Sequence, residues 1–90
     1  MTEKIVEFIE NNKFHNIFDL INKNKELIDQ EINNNYIIHY LVYQNNDKYL
    51  KKYFEIVKDN HQITRSNKEG LNAAHIATRL GYKSLLKLLL

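Results

Sequence analysis

The chain has 90 residues, 43% of them hydrophobic, with no cysteine and a formal net charge of +2 at pH 7. This length allows one domain at most, and the lack of cysteine excludes disulfide frameworks, thiolate metal sites and cysteine nucleophiles. No apolar run reaches the roughly 18 residues that cross a bilayer, the N-terminus does not resemble a secretory signal, and the weak charge gives no argument for nucleic acid.

The first third of the chain shows helical periodicity twice. A first helix is predicted over about 3–10, and the apolar stripe that runs from Phe14 to Ile21 predicts a second helix. An asparagine between the two can adopt the left-handed conformation in which helices stop. The following stretch, 22–35, has mixed polarity and is predicted to be a connecting loop that is not helical throughout.

The pattern of two helices separated by a break then occurs twice more. A third and a fourth helix are predicted on either side of Asn45, with Asp47 near the start of the fourth. After a second polar connection over 58–71, Asn72 is a suitable N-cap for a fifth helix, which ends at Gly81 before a sixth helix begins. Six helices and almost no strand alternation predict an all-α fold.

The spacing of the breaks indicates an internal repeat. Aligning Lys13, Asn45 and Gly81 gives spacings of 32 and 36 residues, which bracket the period of roughly 33 residues in ankyrin repeats. The segment 67–82, NKEGLNAAHIATRLGY, resembles the ankyrin pattern D-x-x-G-x-T-P-L-H-x-A-A-x-x-G-H. The segment 85–90, LLKLLL, resembles the second-helix run V-V-x-L-L-L of that family.

This resemblance implies an ankyrin-like solenoid of three stacked helix-turn-helix units, joined by loops or short hairpins, within a single domain over 1–90. The units are a divergent N-terminal unit (1–33), a second repeat (34–66) and a third repeat (67–90). The second unit keeps the histidine and the apolar positions of the pattern, whereas the first matches only by its helices.

The resemblance also assigns structural roles to individual residues. The residues of the structural repeat motif are His39, His75, Gly70 and Gly81. In ankyrin-like proteins the histidine bonds backbone groups between repeats, and the two histidines here are 36 residues apart. The chain has no proline to open these helices, so that helix entry is expected to rely on Tyr36 and Asn72.

Catalysis and metal binding are not expected. Ser66 and Ser84 have no sequence-evident base and orienting partner, and His15 and His61 lack a second ligand at close helical spacing. The sequence therefore predicts a protein that is not an enzyme and that holds no metal or cofactor.

The resemblance implies a scaffold whose rigid helices present changeable side chains to an unidentified protein partner. We expect binding through one face of the first, third and fifth predicted helices and through the loops around 30–36 and 62–70. Tyrosine is favoured at binding hot spots, although these rings also suit a role as cover for the seam between units. The candidate contact residues are Tyr36, Tyr40, Tyr43, Gln44, Arg65, Lys68 and Arg79.

A second hypothesis places a nucleic-acid or anionic-surface contact on the basic helix 47–58, where lysines alternate with Tyr49 and Tyr53. Solvated lysines on an outer helix face explain the same pattern, and nucleic acid is the less favoured partner.

A third hypothesis is a truncated repeat remnant without autonomous function. The last residues, 88–90, are all leucine and carry no polar cap, so we expect a fragment of a longer array and end-to-end self-association through these leucines. The location is expected to be intracellular and cytoplasmic, in the host cell if the source is a virus or an intracellular parasite.

Overall fold

The structure, a computed structural model, describes residues 2–58 and 61–90, with side chains described from Lys4 onward. Within these residues the chain forms seven α-helices, one 3₁₀ helix and no strand. The α-helices are α1 (Thr2–Glu10), α2 (Phe14–Lys23), α3 (Ile37–Tyr43), α4 (Asp47–Ile56), α5 (His61–Thr64), α6 (Ala73–Leu80) and α7 (Lys83–Leu89), and the 3₁₀ helix is Lys25–Asp29. The all-α prediction is confirmed. The predicted number of six helices is wrong, because α5 forms an additional single turn inside the polar connection 58–71.

The helices pair along the chain and the pairs pack side by side. Consecutive helices α1 and α2, α3 and α4, and α6 and α7 contact each other. Between the pairs, α3 lies against α6, while α4 lies against both α2 and α7. The 3₁₀ helix packs on α2 and α5 packs on α6. Helices α2, α4 and α7 thus form one row, with α3 and α6 beside it.

One apolar core runs through both rows, and its members follow the helical period. In α2 the buried residues are Phe14, Ile17, Phe18 and Ile21, the i, i+3, i+4, i+7 spacing of a helix with one face against a core. In α4 they are Leu50, Tyr53 and Ile56. Each fully buried Leu, Ile or Phe side chain contributes about 1.5–3 kcal/mol relative to exposure, so these stripes hold the rows together.

The breaks between paired helices use residues with positive φ. Asn12 (φ 57°), Asn45 (φ 50°) and Gly81 (φ 74°) lie at the ends of α1, α3 and α6. Glycine adopts this conformation without a steric cost, and asparagine tolerates it better than most residues. The left-handed residue at the first break is therefore Asn12 and not the aligned Lys13, which makes the spacings 33 and 36 residues.

Burial in α3 and α6 repeats in part. Ile37 and Ala73, 36 residues apart at the first helical position, are both buried. Val42 is buried, whereas Thr78, 36 residues later, is exposed. The two helices have different neighbours, since α3 packs against α4 and α6, and α6 packs against α3, α5 and α7.

Candidate functional site

Helices α3 and α6 begin with the same histidine contact. The N–H of Tyr36 donates to Nδ1 of His39 (3.0 Å), and the N–H of Asn72 donates to Nδ1 of His75 (3.2 Å). In α6 the contact is reciprocal, because Oδ1 of Asn72 accepts from the N–H of His75 at 2.8 Å. This capping box satisfies two backbone donors that a helix start leaves open. Helix entry thus uses Tyr36 and Asn72, as predicted.

His39 makes a second, long-range hydrogen bond that fixes its protonation. Its Nε2 lies 3.0 Å from the carbonyl oxygen of Arg65. Because Nδ1 already accepts a hydrogen bond from the N–H of Tyr36, the tautomer that satisfies both bonds is the neutral ring with its proton on Nε2. Burial lowers the pKa of His39 below its ordinary value of 6.5, which also favours the neutral ring. His39 therefore ties the start of α3 to the connection before α6.

Arg65 is the centre of a cluster that joins the two connections. Its guanidinium carbon lies 4.3 Å from the centroid of the Tyr36 ring, within the range of a cation–π contact. One of its terminal nitrogens lies 2.8 Å from Oδ1 of Asp29 and also donates to the carbonyl oxygen of Ile28 and to Oε1 of Gln62 at 3.4 Å. The structure thus places two predicted contact residues, Tyr36 and Arg65, against each other.

Two tight turns lie beside this cluster. Asn33 (φ 51°) and Asn34 (φ 75°) form the first turn, closed by mutual backbone hydrogen bonds between Ile32 and Asn35. Positive φ at both central residues is the geometry of a two-residue hairpin turn. The second turn, 67–71, is closed by the N–H of residue 67, which donates to the carbonyl oxygen of residue 71 at 2.9 Å.

The two turns are joined by hydrogen bonds. The N–H of Lys68 donates to the carbonyl oxygen of Asn34 at 3.1 Å. Asn67, which is buried, donates from Nδ2 to Oδ1 of Asn35 at 2.9 Å, while its own Oδ1 accepts from the N–H groups of residues 69 and 71. Gly70 supplies the positive φ of 80° within the second turn. We call the combined surface of residues 30–36 and 62–71 the turn edge.

Tyr40 also points to the turn edge. Its hydroxyl donates to the carbonyl oxygen of Ile32, and the side chain is half-buried. Burial raises the pKa of this phenol above 10.0, which keeps the hydroxyl available as a donor. The hydroxyl of Tyr40 is therefore engaged in an intramolecular hydrogen bond. Lys68 remains exposed, with Nζ 3.8 Å from a carboxylate oxygen of Glu31.

The remaining predicted contact residues lie on α3 and α6. Tyr43 is 41% exposed, Arg79 is exposed, and Gln44 is half-buried at the C-terminal cap of α3. Tyr43 and Arg79 each lie four residues after the capping histidine of their helix, and the two helices pack together. We call Tyr43, Gln44 and Arg79 the α3/α6 face. The contact residues predicted from the sequence thus belong to two surfaces, the turn edge and the α3/α6 face.

A separate concavity lies on the other row, between α2 and the start of α4. This α2/α4 cleft has a volume of about 480 Å³ and is lined by His15, Phe18, Asn46, Lys48, Tyr49 and Lys52. The lysines and Tyr49 belong to the basic helix noted in the sequence, but the contribution of α2 was missed. No spacing along the chain indicates which part of α2 faces α4.

Two further findings concern site chemistry. Residues 2–58 and 61–90 contain no group of three or more His, Asp or Glu side chains arranged to hold a metal ion. In the same residues, every helix is too short or too polar to cross a bilayer.

Comparisons with protein-family models, with curated proteins and with solved structures find no match for this chain.

Proposed function

We propose that this chain is a non-catalytic, ankyrin-like scaffold that binds a protein partner through the α3/α6 face and the turn edge. The observation that carries the proposal is the repeated construction of α3 and α6. In the first turn of each helix a histidine accepts a hydrogen bond from the backbone N–H three residues earlier, and the two helices pack against each other.

The arrangement of the pairs supports a repeat architecture. Each pair contacts its neighbours in chain order, with α4 between α2 and α7, and a helix pair of this size depends on its neighbours to bury its apolar side. The tie from His39 to the carbonyl oxygen of Arg65, 26 residues later, links the second predicted unit to the connection that leads into the third. Three units over 1–33, 34–66 and 67–90 account for these contacts.

The surface chemistry supports a protein partner. Tyr43 offers a large, partly exposed ring on a rigid helix, and Arg79 offers an exposed planar cation at the corresponding position of α6. Tyrosine and arginine are the residues most enriched, with tryptophan, among those that dominate binding energy at protein interfaces. The turn edge is internally hydrogen-bonded, so that binding there costs little ordering entropy.

Site-specific photo-crosslinking tests this proposal. A photoreactive phenylalanine analogue placed at Tyr43 is expected to capture one protein from cells of the source, and Arg79→Ala should reduce that capture by about fivefold or more. The same analogue at Lys51, an exposed position on α4, is the matched control. Equal capture from both positions, or capture that is insensitive to Arg79→Ala, would count against a specific face.

A second candidate function is an anionic contact through the basic helix. Lys48, Lys51, Lys52 and Lys58 are all exposed, so their ammonium groups are available to phosphates. Binding of a duplex or single-stranded oligonucleotide whose affinity falls steeply between low and high salt would favour this alternative, because release of counterions from phosphates sets the slope. A protein contact centred on Tyr43 should show a shallow slope.

A further inference from the structure

The α2/α4 cleft combines a rigid aromatic floor with a rim of hydrogen-bond donors. Phe18 is buried, and Tyr49 is half-buried between the two helices. The Tyr49 ring stacks on Phe14 with centroids 5.2 Å apart and meets Phe18 and His15 edge-on, at 6.1 and 6.2 Å. These contacts hold the ring in place before any ligand arrives, so one wall of the cleft is preorganised and apolar.

The polar groups of the cleft favour an anion. Lys48 and Lys52, one helical turn apart, place two exposed ammonium groups at its rim. Asn46 uses its Oδ1 to accept from the N–H groups of Lys48 and Tyr49, at 3.0 and 3.3 Å, which leaves its amide nitrogen as a donor. Among the lining residues that the structure describes, none carries a carboxylate. The rim therefore presents cations and donors around an apolar floor.

We propose that the α2/α4 cleft binds an acidic peptide segment, in which a carboxylate or phosphate group sits next to an aromatic side chain. The aromatic side chain would lie against Tyr49 and Phe18, and the anionic group would meet Lys48 and Lys52. A cleft of about 480 Å³ is at the lower end of the usual size of small-ligand sites, which suits one or two side chains of a peptide.

The charge distribution favours a peptide over nucleic acid. Asp47 lies next to Lys48, and Glu55 lies one turn beyond Lys51 on the same helix, so the positive charge does not continue as a track along α4. The whole chain carries a net charge of only +2. Binding that follows a phosphate backbone depends on many such contacts, whereas a single acidic segment needs only the two lysines at the rim.

This site is independent of the proposed function. The α2/α4 cleft is built from α2 and α4, and the proposed partner-binding surface from α3, α6 and the turn edge. Loss of crosslinking at Tyr43 would leave the cleft proposal intact, and a cleft that binds nothing would leave the scaffold proposal intact.

Titration of the isotope-labelled chain by NMR tests the cleft. The probe is an acetylated, amidated tripeptide with phenylalanine between two acidic residues. We expect amide shifts concentrated at His15, Phe18, Lys48, Tyr49 and Lys52, with millimolar-range affinity. Lys48→Gln/Lys52→Gln should weaken binding by about fivefold or more, since two exposed ion pairs are lost. Lys51→Gln/Lys87→Gln removes the same charge from exposed positions outside the cleft and should change affinity by less than about twofold.

Three outcomes would overturn the proposal. Equal weakening by both double variants would show attraction to net charge alone. Shifts of similar size from a tripeptide with alanine in place of phenylalanine would show that the aromatic floor takes no part. Stronger, steeply salt-dependent binding of a single-stranded oligonucleotide through the same residues would assign the cleft to nucleic acid. Unchanged amide dispersion in both double variants confirms that the fold is retained in each comparison.

Discussion

His39 and His75 occupy the same position in similar local sequences, but their surroundings in the fold differ. Both accept a hydrogen bond from a backbone N–H three residues earlier. His39 is fully buried and adds the bond to the carbonyl oxygen of Arg65, whereas His75 is exposed. The described residues offer His75 no corresponding carbonyl. The same amino acid in the same local motif should therefore contribute unequally to stability.

Alanine substitution at the two histidines measures this difference. His39→Ala leaves a cavity and removes the hydrogen bond to the partly buried carbonyl of Arg65, for which we expect a loss of about 2–4 kcal/mol in the free energy of unfolding. His75→Ala removes one exposed capping contact and should cost about 0.5–1 kcal/mol. Urea unfolding followed by circular dichroism gives both values. Losses of equal size would mean that the tie to Arg65 has no net effect on stability.

The lowered pKa of His39 predicts a loss of stability in mild acid. The unfolded chain takes up a proton at His39 near pH 6.5, and the folded chain does so only at lower pH. The unfolded state therefore binds more protons between the two pKa values, and the stabilisation is complete above about pH 6.5 and decreases as the pH falls through that interval.

The matched variant for this pH effect is His39→Gln, which keeps a donor and an acceptor but does not titrate. Unfolding free energies of both proteins should be compared at neutral pH and in mild acid. The wild-type chain is expected to lose more stability than the variant across that range. Parallel pH profiles would contradict the assignment, because the two proteins differ only at residue 39.

Contacts between residues close in the sequence could be predicted, and contacts between distant residues could not. Asn72 could be identified as a cap because capping joins residues three apart in the chain. The stacking of Arg65 on Tyr36 joins residues 29 apart, and its geometry depends on how two connections fold against each other. Composition and spacing indicate the tyrosines as contact residues, but they do not indicate that the Tyr40 hydroxyl donates to the carbonyl oxygen of Ile32.

Among the secondary-structure elements, the breaks between helices show how one backbone geometry is reached with different residues. Asn45 and Gly81 are 36 residues apart, and both have positive φ at the end of a helix. A Cβ added to Gly81 would meet no heavy atom within 4 Å. Space is thus available at Gly81, and the conformation alone restricts substitution.

Two substitutions at Gly81 separate conformation from space. Gly81→Ala should lower stability by about 1–2 kcal/mol, the cost of the left-handed conformation for a residue with a Cβ. Gly81→Asn should cost less than half as much, because asparagine already occupies the equivalent break at Asn45. Thermal unfolding of the three proteins provides the comparison. If alanine and asparagine prove equally costly, the restriction at this position is not one of backbone conformation.

Helices were predicted correctly where an apolar stripe was long enough to show the helical period. Helices α1 to α4, α6 and α7 all appear near the predicted positions. The single turn α5 and the 3₁₀ helix Lys25–Asp29 are too short to produce a period. Their buried residues, such as Gln62 and Leu27, lie on segments that pack on α6 and α2. The α2/α4 cleft was missed for a related reason, since it depends on the register between two helices.

On the scale of the whole molecule, apolar surface is concentrated around α6 and α7. Leu80 is 44% exposed and Leu90 is 91% exposed, while Leu86 and Leu88 are half-buried. Leu89, one of the leucines predicted to face water, is buried in the core. Of the three leucines at 88–90 predicted to mediate self-association, only Leu90 is exposed, and Leu80 adds apolar surface on α6.

Replacing Leu80 tests whether that surface joins copies of the chain. We expect the 90-residue chain to associate as its concentration rises, and Leu80→Gln to weaken the association by about threefold or more, in line with the burial of one leucine side chain. Tyr43→Gln, at a residue with nearly the same exposed fraction, is the control and should leave association unchanged. Analytical ultracentrifugation measures all three. A monomer at every concentration would remove the case for self-association.

Helix α4 packs against α2, α3 and α7 at once, whereas α1 packs mainly on α2. Opening α4 thus requires the loss of three interfaces together, and opening α1 requires the loss of one. Amide protons in α4 should accordingly exchange with deuterium only when the whole chain unfolds, and those in α1 should exchange through local fraying. A protease should accordingly reach the backbone of α1 through local opening, and that of α4 only in the globally unfolded chain.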